Sequence, residues 1–89
     1  MGMDEFETVC KLLVCRIHNG RLGPDDKSAA IDISDVRVIW LCMTLNSMKT
    51  MMTADPDCRR IYELTYEDKN NEIHIATYNM TGNKTVTIR

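Results

Sequence analysis

The chain has 89 residues, 44% apolar and 27% charged, which suits one folded domain and is too short for two that each bury a core. Apolar content this high excludes a disordered chain. Eleven Lys+Arg against thirteen Asp+Glu leave a formal net charge of -2, which argues against a polyanion binder and makes nucleic acid a poor candidate partner.

The chain opens with Met1-Gly2, which resembles the start of a myristoylation signal. Phe6 or Glu7 stands where that signal wants Ser or Thr, so a pair appended before Met3 is the simpler reading. From Asp4 to Asn19 the apolar residues Phe6, Val9, Cys10, Leu13, Val14 and Ile17 recur at helical spacing and share one face. Acidic residues in the first turn suit the helix dipole, and Asn19-Gly20 offers a left-handed stop, so a helix is predicted over 4–19. Residues 20–34, with Gly20, Gly23, Pro24 and a polar run, read as a loop with a short helical turn near Ser28-Ala29-Ala30.

Asp35 to Leu45 is rich in β-branched and aromatic residues and reads as a strand, turned at Asn46-Ser47 into a second, antiparallel strand over Met48 to Ala54. Asp55-Pro56-Asp57 breaks the pairing. Ile61 to Tyr66 and Glu72 to Tyr78 are the third and fourth strands, separated by Glu67 to Asn71, and Thr85 to Ile88 is a short candidate edge strand. The expected fold is α+β over a single domain 1–89: an N-terminal helix packed on an antiparallel meander sheet of four to five strands within residues 35–89.

Strict alternation from Val36 to Leu45 puts Val36, Val38, Trp40, Cys42 and Thr44 on one face and Arg37, Ile39, Leu41, Met43 and Leu45 on the other. Both faces are apolar, yet one helix covers only one of them. The 20–34 loop, a second copy or a partner must cover the rest. Leaving three large apolar side chains wet costs on the order of 5 kcal/mol, so a homodimer is expected and truncation of Trp40 is expected to harm folding or assembly.

The acidic N-terminus lacks the basic stretch and apolar segment of a secretory signal. The longest uncharged run, Val38 to Met48, is about half the ~20 residues of a membrane span, so a cytoplasmic protein without a membrane partner is expected. Cys10, Cys15, Cys42 and Cys58 show no C-x-x-C spacing, and they read as free thiols and not as metal ligands. His18 and His74 lie in no nucleophile motif. His74 fits a polar sheet position, and Glu63 with Glu67 fits a solvated strand face better than an acid/base pair. No catalytic residue, metal or cofactor is expected. Trp40, Lys49, Arg59, Arg60, Tyr62 and Tyr66 form the one candidate recognition cluster, because aromatics and Arg bury much area at low entropic cost.

The segments Asp35-Val36-x-Val38-x-Trp40-x-Cys42-x-Thr44-Leu45-Asn46 with Lys49, Tyr62-Glu63-Leu64-Thr65-Tyr66, and Glu72 with Tyr78 resemble a small family of unknown function encoded by bacteriophages and prophages of low-GC Gram-positive bacteria. The resemblance spans about residues 4–80 and is strongest over 35–66. The family pattern has lysine where this chain has Met43 and often an aromatic where it has His74. It implies a phage accessory protein made in the bacterial cytoplasm and brings no activity or residue roles. The expected function is non-enzymatic binding that inhibits or modulates a host protein, anti-defence included. The rival is an oligomer sequestering a small nucleotide-like signal, with Trp40, Tyr62 or Tyr66 stacking on the base and Lys49, Arg59 or Arg60 holding phosphates.

Overall fold

In the computed structural model the described residues are 1–25, 30–45, 47–55, 59–79 and 87. Helix α1 runs Met3–Gly20, followed by a 3₁₀ turn at Ile33–Asp35 and four strands: β1 Arg37–Met43, β2 Ser47–Thr53, β3 Arg60–Glu67 and β4 Glu72–Asn79. The sheet order is β1-β2-β3-β4 with every pairing antiparallel. This is the expected α+β arrangement, a helix on a four-stranded meander. The candidate edge strand at Thr85 to Ile88 lies outside the described residues.

The apolar stripe of α1 does what its spacing dictates. Phe6, Cys10 and Val14 are buried against Met48, Met52, Tyr62, Leu64 and Tyr66, which share the helix-facing side of β2 and β3, while Leu13 and Ile17 flank them. The Phe6 and Tyr66 rings lie 6.4 Å apart at a 55° tilt, a favoured edge-biased aromatic arrangement. Cys15, a turn away from the stripe, is buried as well. Its neighbours include the segment around Asp32 and Asp35, whose charges reach its thiol.

That segment is tied to the helix end by one side chain. The Asn19 amide donates from Nδ2 to the Ile31 carbonyl and accepts the Ile31 N–H at Oδ1, both at 2.9 Å. The expected left-handed stop at Gly20 is absent: Gly20 is the last helical residue and Arg21 follows in a right-handed conformation, its N–H bonded to the helix end. With its amide spent on Ile31, Asn19 anchors the next segment instead of forming the turn.

The helical turn expected near residues 28–30 falls partly outside the described residues, and Ala30 has no regular structure. The turn that forms is Ile33–Asp35, closed by a capping box in which the Asp32 carboxylate accepts the Ser34 N–H and the Asp35 carboxylate accepts the Asp32 N–H. Ile31 and Val36 join the core on the helix side of the sheet. The described part of the loop therefore packs beside the helix and leaves the opposite sheet face open.

Strict alternation in β1 fails at one point. Val38 pairs with Met52, and Trp40 pairs with Met51, so Ile39 is the extra residue of a β-bulge. Beyond it the parity reverses: Val36, Val38, Leu41 and Met43 belong to the helix side, and Ile39, Trp40 and Cys42 to the open side. The buried Thr50 hydroxyl donates to the Trp40 carbonyl at 2.8 Å, which satisfies both groups where the ladder is disturbed.

Candidate functional site

Strand register assembles the open face row by row. Trp40, Met51, Glu63 and Ala76 stand side by side across β1 to β4, and Cys42, Lys49, Thr65 and His74 form the next row. Ile61 pairs with Tyr78 toward one end, and Glu67 pairs with Glu72 at the other. The face is thus divided. Ile39, Trp40, Met51, Ile61, Ala76 and Tyr78 make an apolar half, in which Ile39 is 44%, Trp40 40% and Tyr78 50% exposed. Lys49, Glu63, Thr65, Glu67, Glu72 and His74 make a polar half.

The six residues singled out from the sequence do not converge. Trp40 and Lys49 lie in adjacent rows of the open face, and the Lys49 ammonium stands 3.7 Å from the Glu63 carboxylate, a half-exposed ion pair worth under about 1 kcal/mol. Tyr62 and Tyr66 point the other way, into the core. Tyr62 is 1% exposed, and its hydroxyl has no hydrogen-bond partner among the described residues. Tyr66 donates to Asn71 Oδ1 at 3.0 Å and so fixes the β3–β4 turn, where Asn71 takes a left-handed φ of 52°.

Arg60 is a clamp at the strand end: its backbone N–H reaches Asp55 Oδ2 and its Nε reaches Asn79 Oδ1. Arg59 is exposed just before β3. Neither tyrosine can stack on a ligand without displacing α1, so the nucleotide-sequestering reading loses two of its three aromatics.

Among the described residues the titratable groups singled out from the sequence do not converge. Glu63 and Glu67 do not act as a pair, because Glu63 faces Lys49 while Glu67 Oε2 lies 3.1 Å from His74 Nε2. His74 shares its face with Ala76 and Tyr78 and is exposed. Among the described residues Cys10, Cys15 and Cys42 are free thiols, and Cys58 lies outside them. Burial pushes the Cys10 thiol up to about 12 and raises that of Cys15 too, the opposite of what a nucleophile needs.

Ile39, Met51, Ile61 and Tyr78 are the surface residues that sequence reasoning missed. Strand parity alone indicates Met51, Ile61 and Tyr78 once the register is known. Ile39 reaches the face only through the bulge.

Among the described residues no helix is long and apolar enough to cross a membrane. A family model described as a family of unknown function (DUF6275) matches residues 7–88. No curated protein and no solved structure matches the chain.

Proposed function

We propose that this chain, which belongs to the family of unknown function (DUF6275) whose model it matches over residues 7–88, is a phage accessory protein that acts in the bacterial cytoplasm by binding a host protein through the open face of its sheet. The observation that supports this is the bulge at Ile39. It sets two large apolar side chains, Ile39 and Trp40, on a face that neither α1 nor the described part of the 20–34 loop covers. Apolar groups at the centre of a patch with charges at its rim have the anatomy of a protein interface. Lys49, Glu63, Glu67 and Glu72 supply such a rim on one side and set orientation more than affinity.

The phage origin rests on the sequence resemblance, and host modulation, anti-defence included, is the role that fits a small binding module from such a source. When the partner is absent the same face pairs with a second copy, giving the homodimer that an apolar sheet face favours.

A pull-down from host lysate with the wild-type chain and with Trp40→Lys tests the reading. A host protein should be enriched by the wild type and lost with the variant, while circular dichroism shows both folded. Identical captures by the two proteins would overturn it.

A further inference from the structure

We propose that Glu67, Glu72 and His74, at the turn end of the β3–β4 hairpin, form a binding site for a divalent metal ion of the zinc type. Glu67 and Glu72 are Cα partners across the two strands, and His74 follows Glu72 by two residues on the same face. His74 Nε2 stands 3.1 Å from Glu67 Oε2 and 3.4 Å from Glu72 Oε2, and the three donor atoms all lie within 4.8 Å of one another. Ligands at the usual ~2.0–2.2 Å from a tetrahedral zinc ion are themselves about 3.4 Å apart. The two histidine distances fit that spacing, and the carboxylate oxygens, within 4.8 Å of each other, draw together around the ion.

A second observation concerns charge. Two carboxylates directly opposed across antiparallel strands repel and destabilise the pairing. Among the described residues neither has a lysine or arginine ion-pair partner; each pairs with His74 only. A single imidazole Nε2 faces both carboxylates across that repulsion. A divalent ion answers it with two charges and uses all three atoms as donors.

The mixed nitrogen and oxygen set suits zinc or a neighbouring transition ion better than calcium or magnesium, which prefer all-oxygen shells. Glu67 is also held for the task, since Asn70 Nδ2 donates to Oε1 at 3.2 Å and leaves Oε2 toward His74. Hydrogen bonds of this kind orient a ligating carboxylate. Three protein donors leave at least one coordination position for water, so the site clamps the hairpin without being closed.

Titration of the full chain with Zn2+ by calorimetry, with His74 ring resonances followed by NMR, tests the site. One ion per chain should bind with a dissociation constant on the order of micromolar and shift the His74 ring signals. Binding should weaken at least about tenfold in His74→Ala and in Glu67→Gln, the first at an exposed and the second at a partly exposed position, and both variants should leave the circular dichroism unchanged. Cys42→Ser, which removes the exposed thiol on the same face, should bind as the wild type does. Binding only at millimolar Zn2+, undiminished binding by His74→Ala, or loss of binding in Cys42→Ser would each overturn the assignment.

Discussion

The hydroxyl of Thr50, buried on β2, donates to the carbonyl of Trp40 at the β1 bulge across 2.8 Å. The side chain that holds the irregular point of the edge strand is thus rooted in the core. Thr50→Val keeps the shape and removes the donor. It should cost about 1 kcal/mol, read as a lower urea midpoint. The hydrogen-exchange protection of β1 should fall more than that of β3, and equal loss in both strands would show that Thr50 does not hold the bulge.

Tyr62 presents the converse case, a hydroxyl taken out of water with no partner among the described residues. Leaving such a group unsatisfied costs about 1–3 kcal/mol. Tyr62→Phe should therefore leave stability unchanged or raise it by about 1 kcal/mol in chemical denaturation. A loss of that size would mean that the hydroxyl is bonded in solution.

Trp40 separates folding from assembly. Because it faces the open side of the sheet, Trp40→Lys should change the unfolding free energy by less than about 1 kcal/mol. Light scattering at micromolar concentration should give twice the 10.2 kDa of one chain for the wild type and a single chain for the variant. A wild-type mass that stays at one chain on concentrating would remove the self-pairing and leave the face to the host partner.

The buried thiols predict a pH profile. The folded-state pKa of Cys10, about 12, lies above its ordinary 9.0 because burial disfavours the thiolate. The stabilisation from the neutral thiol is therefore complete below about pH 9 and is lost as pH rises toward the folded value. Cys15 shifts in the same direction, through burial first and the Asp32 and Asp35 charges next. The urea midpoint of the wild type should fall as pH rises from about 9 toward 12, and that of Cys10→Ala should fall less. Iodoacetamide should label Cys42 in the native state and spare Cys10 and Cys15, which are buried.

The helix and all four strands were legible in the sequence to within one or two residues, because each carries its own period: 3.6 in Phe6 to Ile17, and alternation in Ile61 to Tyr66 and Glu72 to Tyr78. Three features were not. A bulge adds one residue without any composition signal, so parity from Val36 assigned Trp40 to the wrong neighbours. Tyr62 and Tyr66 drew attention as aromatics, yet which strand face meets the helix depends on tertiary docking that local pattern does not contain. Asn19 looked like a turn residue, and its amide went instead to Ile31, twelve positions on. Of the candidate surface, Trp40 and Lys49 were legible, and the grouping of Glu67, Glu72 and His74 required the hairpin register.

The order β1-β2-β3-β4 has a kinetic consequence. Every strand pairs with the one before it in sequence, so no hairpin needs a distant segment to arrive before it can close. Loop closure is entropically cheap at these lengths, and folding speed follows the mean sequence distance of native contacts. The sheet can zip from any of its three hairpins, and among the described residues it is the docking of α1 onto β2 and β3 that brings remote parts of the chain together. Stopped-flow refolding should show a single phase on the millisecond scale. Truncating Phe6 should slow folding less than it speeds unfolding, whereas truncating Leu64, at the centre of β3, should slow folding most.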